Sequence, residues 1–220
     1  DTKTATDLKN IEDARSLLER TLSSYKDYSD IYFIETNTGT VSFSASNLLI
    51  GQNKSTKDYY KTPLNTGDLY LSEVYEGDNK NLHIISISVP VRSASETAKI
   101  IGILVININL DNSLYKLINI KTGLGETGET LIVDHDVIAI NQLRWYEDAP
   151  LNLRIDAEPA VMAAAGQQGI TNTLDYRGEE VLAAYTYIPS MKWGFVAKQD
   201  LYELREPIRK MILNFTLLFL

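Results

Sequence analysis

The stretch GLGETGET, residues 123–130, decides how the rest of the chain is read. Gly123, Gly125 and Gly128 form a G-x-G-x-x-G spacing, and Asp148 follows about twenty residues later, where a dinucleotide fingerprint places its acid. In such a fingerprint the glycines follow a strand and open a helix whose N-terminus faces the pyrophosphate. Here they follow the helical stretch SLYKLINI and precede TLIVD, which reads as a strand. The order is inverted. The glycines are therefore read as the backbone reversal that ends a linking helix and starts a new sheet, a boundary between two modules.

Working outward, the elements on either side of that boundary repeat. Residues 4 to about 28 read as one long helix with Leu8, Ile11, Leu18, Leu22 and Tyr25 along a narrow stripe. IYFIETNTGTVSFSAS then gives two strands around Asn37-Thr38-Gly39, and STKDYYKTPLN a short helix that Ser55 or Thr56 could cap. LYLSEVYE, NLHIISISVPVRS and KIIGILVININL follow as three strands, with turns at Asp78-Asn79-Lys80 and Ala94 to Thr97. After the glycines, ETLIVDHDVIAIN gives two strands around Asp134-His135-Asp136 and AEPAVMAAAG an apolar helix. GITNTLDYRGEEVLAAYTYIP and KWGFVAKQDLYEL complete a diverged copy of the first set. The predicted fold is α+β: a long N-terminal helix and two modules, each a central antiparallel sheet flanked by helices. The expected segments are 1–29 for that helix, 30–117 and 118–200 for the two modules, and 201–220 for a C-terminal helix.

Composition narrows the function. The net charge is -8 and no run of Lys or Arg supplies a basic face, so nucleic acid is not an expected partner. Cysteine is absent, which removes disulfides, thiolate metal sites and a Cys nucleophile. The two histidines, His83 and His135, have no partners at catalytic or zinc-binding spacing and read as structural or surface residues. Asp134 and Asp136 suit a tight turn on backbone grounds alone. No metal, cofactor or catalytic constellation is expected. The chain finishes on MILNFTLLFL after the charged ELREPIRK, an ending read as the entry into a transmembrane segment.

The order of elements, carried by KDYYKTPL, LSEVYEG, ISISVPV, IIGILVININLDN and GLGETGETLIVD, resembles the double Cache sensor domain, a pair of PAS-like modules in prokaryotic membrane receptors. The resemblance runs the length of the chain. It implies an extracellular or periplasmic small-molecule sensor, most often of a histidine kinase, with chemoreceptors and cyclic-dinucleotide enzymes as alternative outputs and a non-binding structural ectodomain as another. It also implies a homodimer paired through the first helix, a ligand in the membrane-distal module and a signal that leaves through the last helix.

Amino-acid-binding members carry Arg-x-Trp-Tyr on the short helix, a Tyr on the third strand and an Asp on the last. The matching positions here are Lys57, Tyr59-Tyr60, Tyr75 and Asn107. Lys57 keeps a positive charge without the bidentate fork of Arg. Asn107 cannot neutralise an ammonium in a desolvated pocket. The resemblance with these changes implies a neutral or anionic solute, such as a carboxylate or polyol, rather than a free amino acid. Ser86 and Ser88 share a face of an aliphatic strand, and Ser86 joins the ligand-binding candidates. Arg144, Trp145 and Tyr146 could line a second pocket or form a covering loop.

Overall fold

The computed structural model describes residues 5–77, 82–93, 99–118 and 123–218. The turns expected at 78–80 and 94–97 lie outside them. The chain divides into two compact units, residues 1–114 and 115–220.

The first unit opens with helix α1 (Ala5–Ser24) and continues into strands β1 (Tyr28–Glu35) and β2 (Val41–Ser44). Helix α2 (Asp58–Thr66) follows, then β3 (Tyr70–Leu71), β4 (Tyr75–Glu76), β5 (His83–Arg92) and β6 (Ile100–Asn109). The sheet runs β2-β1-β6-β5-β3, with β4 also on β5, and its described ladders are antiparallel. β6, last in sequence, lies between β1 and β5 and pairs antiparallel with both. Tyr32, Ile34, Val41, Ile103 and Val105 form the core with Tyr59 and Tyr60 of α2. Each fully buried aliphatic contributes roughly 1.5–3 kcal/mol.

Two local expectations give way. Neither Ser55 nor Thr56 caps α2; the N-cap is Lys57, without a side-chain cap bond. Ser55 Oγ is turned to Asn53 Oδ1 at 2.6 Å instead. LYLSEVYE is not one strand. Leu71 pairs with Ile87 and Tyr75 with Ile84, so four steps along one edge face three along β5. The extra residue makes a bulge, and the Ser86 N–H donates to Ser72 Oγ within it at 2.8 Å.

The second unit contains α3 (Leu114–Ile118), β7 (Glu129–Val133), α4 (Glu158–Ala164), β8 (Gly169–Leu174), β9 (Glu180–Ile188), β10 (Trp193–Asp200) and α5 (Leu201–Leu218). Its sheet order β7-β10-β9-β8 again places the last strand inside. The strand expected after Asp134-His135-Asp136 is reduced to isolated bridges, Val133 with Ala139 and Ile138 with Arg154. Asp134 Oδ1 accepts from the N–H groups of Asp136 and Ile138, and Val137 takes a positive φ of 63°, which ends the ladder. α4 seats closely on β10: a Cβ on Gly194 would lie 2.8 Å from Ala164 N and 2.9 Å from Ala163 Cβ. No helix among the described residues is long and apolar enough to cross a membrane.

The glycine stretch turns out to cradle an anion, and the anion is the chain's own. Glu203, in the first turn of α5, accepts from Glu126 N–H at 2.7 Å, Thr127 N–H at 2.8 Å and the Thr127 hydroxyl. Gly125, at φ +67°, makes room: a Cβ there would sit 2.2 Å from Glu203 Oε1. The Asp200 N–H donates to Thr127 Oγ1 at 3.1 Å, so one threonine ties the end of β10 and the start of α5 to the same loop.

The Thr127 hydroxyl and the two N–H groups hold the Glu203 carboxyl down to about 2 from 4.5. A lowered carboxyl contributes stability that is present above its ordinary value and is lost as pH falls through the folded one. Thermal unfolding followed by circular dichroism is predicted to show Glu203→Gln below the wild type at neutral pH, with the gap closing between pH 4.5 and about 2. A gap independent of pH would contradict the assignment. Gly194→Ala is predicted to cost roughly 1–3 kcal/mol through overpacking. Calorimetry should place that loss in the transition of the second unit, and an unchanged melting temperature would remove the close-packing argument.

Candidate functional site

In the first unit a cavity of about 150 Å³ lies between the sheet and α2, beside the loop that precedes that helix. Its lining is built from alternation and from the bulge. Asp30 and Tyr32 are two apart on β1 and so share a face. Asn107 of β6 stands directly opposite Asp30 and brings its side chain to the same place. The bulge after β3 sets Tyr75 at the cavity edge, and α2 supplies Tyr59, with Lys57 at its N-cap. Tyr59 and Tyr75 stack with ring centroids 6.0 Å apart, and Tyr59 meets Tyr32 edge-on at 6.4 Å. Lys57, Tyr59 and Tyr75 also line an adjoining space of about 450 Å³ with Asp58, Tyr70 and Glu73.

Of the residues singled out from the sequence, Lys57, Tyr59, Tyr75 and Asn107 come together around this cavity. Tyr60 and Ser86 do not line it. Tyr60 packs into the core and its hydroxyl donates to Thr36 O at 3.0 Å, as two adjacent helical residues diverging by about 100° require. Ser86 is fully buried beneath the site. It bonds Tyr75 Oη at 2.6 Å and donates to Asn107 Oδ1 at 2.7 Å, which fixes both of those side chains.

Asn107 is the polar centre. Its Oδ1 accepts from Ser86 Oγ and from Tyr32 Oη at 3.4 Å, while Tyr75 Oη lies 3.5 Å away and gives its proton to Ser86 Oγ. Its Nδ2 makes no hydrogen bond to a described residue, although the side chain is 8% exposed. Among the described residues no sealed side-chain nitrogen or oxygen lacks a partner, so this donor opens on the cavity it lines. Burial pushes the Tyr32 phenol well above its ordinary value, with Tyr59 and Tyr75 adding to the rise, so its hydroxyl stays a protonated donor.

Eleven of the fifteen lining residues were not singled out from the sequence, Asp30, Tyr32, Lys54 and Glu76 among them. Asp30 is buried and accepts from Ser44 Oγ, Ser46 Oγ, Ser46 N and Ile31 N, so both oxygens are engaged in fixing the following loop. Tyr32 hid inside an aliphatic strand, where an aromatic reads as core. Lys54 is buried beside the cavity from an irregular loop that has no periodicity to reveal its direction.

In the second unit the corresponding space is about 10 Å³ and is lined by Leu131, Ile155, Ala160, Val181 and Lys198 among others. Arg144, Trp145 and Tyr146 belong to a covering loop there. The Trp145 ring lies 3.8 Å from the Arg177 guanidinium and 4.9 Å from Lys198 Nζ. The N–H groups of Glu126 and Thr127, which a nucleotide loop would offer to phosphate, are taken by Glu203. His83 Nδ1 lies 3.0 Å from Asp111 Oδ1, and His135 is exposed beside Asp136. Among the described residues no group of three or more His, Asp or Glu is placed to hold a metal ion.

Comparison with solved structures returns this fold repeatedly. The sensor domain of the Vibrio cholerae histidine kinase DctB superposes with a TM-score of 0.62 at 12% identity, covering 89% of this chain and 81% of that one. The ligand-binding domain of the Pseudomonas aeruginosa amino-acid chemoreceptor PctC, in complex with GABA, gives 0.64 at 17% identity over 91% and 83%. That of the Campylobacter jejuni chemoreceptor Tlp3, in complex with 4-methylisoleucine, gives 0.64 at 20% over 90% and 73%. No curated protein sequence matches the chain. A family model for the double Cache domain, described as Cache domain, matches residues 2–208, and with the two repeated sheet modules this shows that the chain belongs to the Cache-domain family.

Proposed function

We propose that the chain is the extracytoplasmic solute-sensing domain of a membrane receptor, with a histidine kinase as its output and the solute seated in the cavity of the first unit. The observation that carries this reading is the cavity itself, where an unpaired amide donor, three phenols and two lysines converge in a space fit for a small metabolite. The anchoring proposal is supported by α5, which leaves Ile208, Met211, Ile212, Leu213 and Phe215 exposed. Pairing of two copies through α1 is the accompanying proposal, and Leu17 stands exposed on that helix. A solute that binds one arrangement of the domain better than another shifts its population, and equal affinity would shift nothing. The domain itself is a binding module, and any kinase activity belongs to another part of the receptor.

The polarity at Asn107 favours a neutral or anionic solute without an ammonium group. Oδ1 already receives two hydroxyls, so the face left for the solute donates. At Asn107 an incoming ammonium would meet a donor instead of the acceptor it needs, which is costly in a desolvated position, and the lining carboxylate of Glu76 is solvent-exposed. Asp30 does not reverse this, because its two oxygens already accept four bonds.

Two measurements test the reading. Thermal-shift titration with paired solutes, pyruvate against alanine and acetate against glycine, is predicted to show stabilisation by the ammonium-free member only. Stabilisation by the amino acids instead would overturn the polarity argument and leave the sensor reading standing, whereas no response to a broad metabolite panel would remove the sensor reading. Tyr75→Ala is predicted to weaken binding on the order of tenfold or more, since one lost hydrogen bond and the aromatic contact amount to about 1.5–3 kcal/mol. Unchanged affinity in a normally folded Tyr75→Ala would place the solute elsewhere.

A further inference from the structure

The two central strands carry a matched position with opposite contents. In the first unit Asn107 lies opposite Asp30, near the start of β1, with Ser86 on its other side. In the second unit Lys198 lies opposite Glu129, the first residue of β7, with Ala183 on its other side. Both face the helix-covered side of their sheet, and each opposes a buried acid at the start of the first strand. One position borders an open cavity; the other is filled.

Lys198 is 3% exposed, and its Nζ lies 2.9 Å from Glu129 Oε2 and 2.5 Å from Asp175 Oδ2. The ammonium also sits 4.9 Å from the Trp145 ring and 4.8 Å from the Tyr176 ring, near enough for cation–π attraction. The acids that hold it are held in turn. Glu129 accepts from Tyr176 Oη and Arg144 N, while Asp175 accepts from Arg177 Nε and the N–H groups of Arg177 and Glu179. Arg177 Nη2 continues to Asp200 Oδ1 at 2.5 Å. Two carboxylates and two aromatic rings around one ammonium make up the kind of enclosure a receptor uses for an amine ligand.

We infer that the second unit carries a tethered occupant: Lys198 fills with its own ammonium the position where the first unit admits a solute, so the second unit is built around an alkylammonium and takes none from outside. About 10 Å³ remains at this site, room for one water at most. The chemical class that the enclosure recognises is a primary alkylammonium, supplied in cis. This holds whichever solute the first unit binds, and its test does not use that solute.

The experiment is chemical rescue in the 220-residue chain. Lys198→Ala leaves the Cβ and removes what propylammonium would replace. Removing one partner of a buried ion pair should lower the melting temperature by on the order of 10 °C. Propylammonium chloride is expected to restore most of it saturably, while sodium chloride and sodium propionate at equal concentration do not, and the wild type does not respond. Should Lys198→Ala purify unfolded, recovery on refolding with and without propylammonium is the same readout. Lys198→Met, which keeps the stem and blocks the space, is expected to gain nothing from the amine. A Lys198→Ala variant as stable as the wild type, or one rescued equally by sodium chloride, would overturn the inference.

Discussion

A polar side chain on the covered face of a central strand has nowhere to turn for water, so it must find partners or border a space that admits one. Position 107 and position 198 both stand under that constraint, each between two strands and under a helix. At 107 the chain satisfies one half of an amide with two hydroxyls and leaves the other half facing a cavity. At 198 it places a full charge and surrounds it with two carboxylates. The helices above follow suit. Tyr59 on α2 reaches into its site, whereas α4 offers Pro159, Ala160 and Ala163 and settles directly onto Gly194. Cavity in one unit and solid core in the other are consequences of what each central strand carries.

The same logic of internal satisfaction explains the glycine stretch. A turn that exposes consecutive N–H groups is an anion site whatever the sequence around it, and the chain meets that demand with Glu203. Burial raises Asp175, yet hydrogen bonds from Lys198 and Arg177 outweigh it and hold the carboxyl below its ordinary value. The opposing pair behaves alike: burial lowers Arg177, and its bonds to Asp200 and Asp175 raise it further than that. Charges inside the second unit are therefore fixed, and the beginning of α5 is fastened to the loop at the head of β7.

Much of the fold was legible because strand alternation and the repeat survive in the sequence. IYFIE, ISISVPV and IIGILVININ keep their pattern, and the inverted order around GLGETGET by itself excludes a nucleotide loop. What escaped depended on register and on loops. No alternation rule announces that Leu71 to Tyr75 spends one residue more than β5 does, nor that the positive φ of Val137 ends a strand early. Tyr59, Tyr75 and Asn107 could be picked by family resemblance, but which of Tyr59 and Tyr60 turns inward is set by how α2 rolls against Ile34 and Val41. In the sequence Lys198 is one more lysine near the end of a strand; only the cross-strand register sets it against Glu129.

Hydrogen–deuterium exchange with a stabilising solute added addresses the central claim most directly, that one of the two units is open to solutes and the other is closed on itself. Solute-dependent protection is predicted in residues 54–60 and 75–77, with none at 143–146 or 175–177. Protection of the second pair of segments, with the first unchanged, would contradict it.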